Sequence, residues 1–214
     1  FVSRVFIYPM NDSYRIKHLI TGTGRSGTTF LMHVFYNAGL DIGNVSPKYI
    51  SAKNNPIGGG MELRSFSKIN TQIMADINTY SLEEVAQRNY KDMQTPWPMY
   101  LKDPRYILTW PVWEQKKMRP MHVFLCMRNP EAIDKSIKET TDWNMQNPYL
   151  LYQKMFGCLT YLLENDISYT LVHYPRLAKD RVYTERILSA YMENPWEVVQ
   201  KTWDESLHHF KSTT

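Results

Sequence analysis

Short apolar runs alternate along this chain with longer stretches of helical periodicity. KHLIT (17–21) reads as a strand that runs into a glycine loop, and TTFLMHVFYNAG (28–39) follows as a helix closed by Gly39. SRVFIY (3–8) reads as a further short strand. The spacing predicts helices over 62–77, 130–139, 148–165, 182–192 and from 195 to about 210. Another helix opens at Ser81, where Ser81-Leu82-Glu83-Glu84 forms a capping box. MYLK (99–102) and YTLVH (169–173) read as strands. MHVFLCM (121–127) is apolar without alternation, as expected of a strand buried on both faces of a parallel sheet.

Strands alternating with helices predict an α/β fold with a central, mainly parallel sheet. In such sheets ligands bind beyond the carboxyl ends of the strands. Three chemically rich loops, at 22–27, 103–105 and 128–130, directly follow strands and should converge on one rim. Residues 43–61, with Pro47, Pro56 and Gly58-Gly59-Gly60, form a long irregular loop of the length that tends to carry function.

Length and composition narrow this picture. The 214 residues suffice for one sizeable core, so 1–214 is read as a single domain. The net charge of +4 suits an anionic ligand, while the scattered basic residues disfavour a nucleic-acid partner. No apolar run is long and uninterrupted enough to span a bilayer. No signal peptide is visible, so a cytoplasmic location is expected, with a trimmed targeting or anchor segment left open by the start at Phe1. Cys126 and Cys158 sit in apolar stretches and read as buried free thiols. Asn11-Asp12-Ser13 and Asn44-Val45-Ser46 match the glycosylation sequon, a pattern common by chance.

TGTGRSGTTF (21–30) has the frame of a nucleotide-binding loop, G-x-x-x-x-G-K-[ST], but Thr28 stands where the lysine belongs. Gly22, Gly24 and Gly27 allow a tight turn that offers backbone N–H groups to an anion. The helix that follows adds its positive dipole end. Arg25 supplies a permanent cation, and Thr23, Ser26, Thr28 and Thr29 supply hydroxyls. The result is an anion cradle whose cation sits three residues before the usual position. A second basic feature lies at Arg128, at the end of the 121–127 strand, with Ser136 eight residues on in the next helix. An arginine so placed can bind phosphate with two nitrogens.

RSGTT after a hydrophobic strand resembles the 5′-phosphosulfate loop of sulfotransferases that use 3′-phosphoadenosine 5′-phosphosulfate (PAPS). Arg128 and Ser136 are similar to that family's 3′-phosphate motif, and LVHYPRLAKD (171–180) resembles its late strand and Tyr-x-x-Leu turn. The resemblance spans about residues 17–192. It implies a P-loop NTPase-like three-layer sandwich, with residues 22–29, Arg128 and Ser136 binding the donor and no metal needed for the transfer step.

Lys102 ends its strand as a second cation aimed at the same rim. Leu101-Lys102-Asp103-Pro104-Arg105 resembles a Lys-Asp-Pro segment of tyrosylprotein sulfotransferases, in which the lysine lies at the transferred group. Glu62-Leu63-Arg64 is similar to the Glu-x-Arg element that supplies their general base. The resemblance thus implies catalytic roles for Arg25 and Lys102, and for Glu62 or Asp103 as base. Asp103, set between Lys102 and Arg105, reads as the weaker base and the better structural partner. The first turn of a helix also favours a glutamate such as Glu62 for its dipole alone.

His33, His122 and His173 fall on expected core elements, and His208-His209 has no supporting metal ligands. Trp97, Trp110 and Trp113 read as aromatic packing beneath a loop-rich rim. The acceptor could be a hydroxyl or an amine on a glycan, lipid, peptide tyrosine or small molecule. Two other functions fit the same loop: a kinase or ATPase with Asp103 as magnesium ligand, and a non-catalytic nucleotide-binding module.

Overall fold

The computed structural model describes residues 15–45, 60–140 and 147–203. Strand β1 (His18–Gly22) enters the glycine loop and α1 (Thr28–Asn37) leaves it. Helices α2 (Arg64–Asp76) and α3 (Leu82–Met93) precede β2 (Tyr100–Lys102), and α4 (Tyr106–Gln115) follows it. Then come β3 (His122–Met127), α5 (Pro130–Thr140), α6 (Pro148–Glu164) and β4 (Ser168–His173). Three short helices, α7 (Arg176–Lys179), α8 (Arg181–Leu188) and α9 (Pro195–Thr202), close the described chain.

All four strands pair in parallel in the order β2-β1-β3-β4. Successive side chains of a strand face opposite ways, and each face has its own core. Leu19, Leu101, Val123 and Leu125 pack with α2, α3, α4 and α6, through residues such as Phe66, Ile73, Val85, Trp113 and Leu162. Ile20, Phe124, Cys126 and Val172 pack with α1, α7, α8 and α9, through Leu31, Phe35, Leu177, Leu188 and Val199. The three layers and the parallel sheet are those expected. The uninterrupted apolar strand β3 lies centrally and is buried on both faces.

Strand order positions the site. After β1 the chain adds β2 on one side, then crosses to add β3 on the other. The loops following β1 and β3 therefore open a crevice at the reversal point, where α/β sheets bind ligands. Register brings them level, with Gly22 beside Cys126. A Cβ on Gly22 would lie 2.1 Å from the Cys126 carbonyl oxygen, and its φ of 145° also favours glycine.

Several elements depart from expectation. The stretch expected to be a loop-rich rim contains α4, a helix that carries Pro111 in its interior. Trp97 and Trp113 are core residues, and Trp110 stacks on Tyr161 at 4.2 Å. The helix expected from residue 62 begins at Arg64, because Leu63 is extended, with ψ at 123°, and stands as its N-cap. Glu62 therefore lies outside its first turn. Helix α8 is shorter than expected, ending at Leu188, with α7 before it. The capping box at Ser81 forms both of its hydrogen bonds with Glu84. Cys126 and Cys158 are buried and free. His173 is exposed rather than in the core. His122 is buried and bonded to Ser168, Thr170 and Tyr191, and burial pushes its pKa down to about 4. Among the described residues no helix is long and apolar enough to cross a membrane. The 3–8 strand, the Asn11 sequon, Ser46 of the second sequon, His208-His209 and most of 43–61 lie outside the described residues.

Candidate active site

The loop after β1 folds on itself through Ser26, whose amide and hydroxyl both donate to the Thr23 carbonyl, at 3.3 and 2.6 Å. Arg25 adopts a left-handed φ of 65° and Gly27 one of 94°. Gly24 is half-buried between them and Thr23. Left-handed residues at alternate positions, here separated by Ser26, can curl a backbone into a concavity that offers N–H groups to an anion. Gly27 caps α1 without any side-chain hydrogen bond, so the first-turn amides at Thr28 and Thr29 have no side-chain cap. A Cβ on Gly27 would meet the Tyr174 ring at 2.6 Å, so glycine is required for close packing as well as for its φ. Thr23 is fully buried, and its hydroxyl has no partner among the described residues.

The loop after β3 lies alongside. Nε of Arg25 donates to Ser136 Oγ at 3.1 Å, and Nη1 of Arg128 donates to the Arg25 carbonyl oxygen at 3.3 Å. Arg128 is only 6% exposed, yet its Nε and Nη2 have no partner among the described residues. Its guanidinium carbon lies 5.3 Å from the centre of the Tyr174 ring. Among the described residues no carboxylate pairs with Arg25 or Arg128. Burial lowers the pKa of each, and the Arg25 charge lowers that of Arg128 further. A buried cation with unmet donors is costly unless an anion joins it. The unpaired positive charge of this corner suits an anionic ligand.

Lys102 and Glu62 form a second cluster on the β2 side of the loop. The Lys102 ammonium is 2% exposed and donates to Glu62 Oε1 at 2.5 Å, the Gly60 carbonyl at 2.6 Å and Thr29 Oγ1 at 3.0 Å. These partners use all three of its protons. Glu62 is buried too, and its Oε2 has no partner among the described residues. Burial pushes the Glu62 carboxyl up to about 7, against the pull of Lys102. Thr29 ties the cluster to the cradle, since it sits in the first turn of α1 and receives the lysine.

Asp103 is fully engaged elsewhere. Its Oδ1 accepts from the Arg105 amide and Nε at 2.9 and 2.8 Å, and its Oδ2 accepts from Asn70 Nδ2 at 2.9 Å. Arg105 continues to Ser67, and the Asn70 side-chain Oδ1 accepts from Thr109 and Trp113. The Asp103 carbonyl accepts from Thr21 as well. This network fastens β2 to α2 and α4.

The geometry therefore brings Gly22–Thr29, Arg128, Ser136, Lys102 and Glu62 to one rim and turns Asp103 into the scaffold beneath it. Sequence reasoning missed three neighbours. Tyr174 sits against Gly27 and Arg128, and a signal existed in the YPRL stretch that it opens. Tyr152 accepts from the Arg128 amide through its hydroxyl at 2.9 Å. His33, assigned to the core, is only half-buried, and its Nε2 is enclosed without a partner. Its four-residue spacing from Thr29 was the available signal.

No family model and no curated protein matches this chain. Among solved structures it is similar to the sulfotransferase domain from the Synechococcus PCC 7002 olefin synthase, at 16% identity and a TM-score of 0.45, covering 94% of this chain and 79% of that one. It is also similar to the sulfotransferase domain from the curacin biosynthetic pathway, at 12% identity and a TM-score of 0.41, covering 82% and 73%. Both likenesses are distant.

Proposed function

We propose that this chain is a sulfotransferase that moves a sulfuryl group from PAPS to an acceptor. The observation that carries this reading is Arg128, a buried arginine with two unpartnered nitrogens beside, and distinct from, the glycine loop. A nucleoside triphosphate has one continuous phosphate chain and needs one cradle. PAPS carries negative charge at two separated positions, 5′ and 3′, and needs two anion sites. The first-turn amides, Thr23 and Arg25 suit the 5′-phosphosulfate, and Arg128 with Ser136 suits the 3′-phosphate.

Transfer needs charge stabilisation at the leaving oxygen and removal of the acceptor proton. Lys102 is a buried cation next to the cradle through Thr29, and Arg25 is a second. Glu62 is the better base of the two carboxylates. One of its oxygens is unpartnered, and its pKa of about 7 lets it exchange a proton near neutral pH. Asp103 has both oxygens occupied by Arg105 and Asn70. The same engagement argues against Asp103 as the magnesium ligand of a kinase.

Thermal-shift titration with adenosine 3′,5′-bisphosphate (PAP) and with ATP-Mg²⁺ separates these readings. The sulfotransferase reading expects stabilisation by PAP and little by ATP-Mg²⁺, and the opposite pattern would sink it. PAP binding without sulfate transfer from PAPS to any of a phenol, peptide, glycan and lipid panel would identify a non-catalytic module. A cytoplasmic location and a single domain over 1–214 remain part of the proposal.

A further inference from the structure

Helix α6 packs with α4 in the core on one face of the sheet and leaves a second flank in solvent. Along that flank Tyr149, Tyr152, Phe156, Leu159 and Leu163 follow one another at spacings of three, four, three and four residues. This is the repeat of a seam between two helices. Tyr152 and Leu159 are half-buried at its inner margin, while Tyr149, Phe156 and Leu163 stand 60%, 51% and 55% exposed. No stripe position carries a charge, and the two charged residues of the helix, Lys154 and Glu164, lie off it. Thr160, beside the stripe, turns its hydroxyl back to the Phe156 carbonyl at 3.0 Å. A contiguous apolar flank of this kind marks an interaction site.

A helix that lies on a membrane carries a lysine- and arginine-rich face, and α6 has Lys154 alone. A strand would need an open sheet edge, and the outer edge of β4 nearby is closed. The Tyr183 hydroxyl accepts from the His173 amide at 2.8 Å and donates to the Leu171 carbonyl at 2.9 Å. The three-four spacing suits a helix instead, and Gly157 suits a close one. Gly157 sits next to Phe156 in the middle of α6, where glycine weakens a helix. A Cβ there would meet nothing within 4 Å among the described residues, so no contact between them calls for glycine. A notch beside a protruding ring, on a stripe with equal arms to either side of Phe156, is complementary to itself.

We propose that this flank is a homodimer interface, on which α6 of a second copy of the chain lies antiparallel. Tyr149 and Leu163 stand seven residues to either side of Phe156. A two-fold axis at Phe156 therefore lays Tyr149 of each copy on Leu163 of the partner subunit. Each Phe156 ring then enters the notch at Gly157 of the partner subunit. Such a contact is isologous and closed, one patch serving both sides. Because the stripe is uncharged, two copies of a chain with net charge +4 meet without like charges opposed across the seam. A single helix seam falls at the small end of specific interfaces, so the dimer is weak and concentration-dependent. Tyr152 borders the seam and accepts from the Arg128 amide at 2.9 Å, which sets the interface next to the donor corner. The dimer does not depend on the reaction assigned to that corner.

Sedimentation equilibrium of the intact chain, from about 1 to 200 µM, should show a monomer–dimer equilibrium with a micromolar dissociation constant. Phe156→Asp should weaken it at least about 30-fold. Gly157→Leu should weaken it comparably, because the notch is filled, while raising the thermal midpoint of the dilute monomer as a better helix former. Those opposite effects separate a lost interface from a damaged fold. A short bismaleimide added to cysteine variants reads the geometry, since Cys126 and Cys158 are buried. Phe156→Cys should link to its own copy, and Tyr149→Cys only when mixed with Leu163→Cys. A monomer at every concentration overturns the proposal, including one whose α6 flank holds a helix of another protein. A dimer unmoved by Phe156→Asp and Gly157→Leu has its interface elsewhere and overturns it too. So does Tyr149→Cys linking to itself, which would make the helices parallel.

Discussion

Arg25 and Ser136 stand 111 residues apart in the chain and meet at 3.1 Å, Nε donating to Oγ. That hydrogen bond joins the loop after β1 to the helix after β3, and Arg128 reinforces it by donating to the Arg25 carbonyl at 3.3 Å. Two basic segments from separate strand ends are thereby held as one surface. Neither arginine has a carboxylate partner among the described residues, so the surface stands charged before any ligand arrives.

Arg25→Ala and Arg128→Ala should each weaken PAP binding roughly 10- to 100-fold, since a charge-assisted hydrogen bond contributes about 1.5–3 kcal/mol. Arg128→Met should lose the PAP response yet keep or raise the thermal midpoint of the free protein. It removes a buried charge that the free protein does not compensate. Calorimetry and thermal melts read the two effects separately, and intact PAP affinity in either alanine variant would refute the site.

Glu62 must be ionised to accept a proton. Its carboxyl is held up to about 7 by burial, so turnover should rise with pH through that value and level off above it. Glu62→Gln should abolish this limb, keep PAP affinity within a few-fold and lower turnover by roughly 100- to 10,000-fold. A pH–rate profile of sulfate transfer checks it. An unchanged acid limb in the glutamine variant would move the base elsewhere.

Asp103→Asn should act on stability rather than chemistry. It weakens the charge-assisted bonds to Arg105 beneath the site, at a cost of about 1.5–3 kcal/mol. For a chain of this size that corresponds to a midpoint lowered by about 3–12 °C. Turnover per folded molecule should stay within a few-fold of wild type. A loss of a hundredfold with an unchanged melt would show that Asp103 takes part in the reaction.

Two glycines with positive φ should respond differently to alanine. At Gly22 the new Cβ would meet the Cys126 carbonyl at 2.1 Å, where backbone of both central strands must move. We expect a loss of about 3 kcal/mol or more, and disruption of the cradle. Gly39 has a φ of 74° but nothing within 4 Å of its Cβ position, so Gly39→Ala should cost only the left-handed conformation, about 1–2 kcal/mol. Chemical denaturation of both variants tests the contrast, and equal losses would contradict it.

Local chemistry was enough for much of this protein. Unbroken apolar β3, the Ser81–Glu84 capping box and the glycine loop between β1 and α1 depend on neighbours within a few residues, and all three were legible in the sequence. So was the convergence of the glycine loop and Arg128 on one rim, because both lie where strands end. Pro111 concealed α4, since a proline interrupts local helix periodicity even where tertiary packing of Trp113 and Val112 keeps the helix intact. The difference between Glu62 and Asp103 was also beyond local reading. Both are carboxylates near Lys102, and only packing shows that Asn70 and Arg105 take both oxygens of one while the other keeps an oxygen unpartnered. Hydrogen-bond saturation depends on partners brought from distant segments, so it is decided in three dimensions. Residue type and spacing determined which groups could serve; the tertiary structure decided which of them are left available to do so.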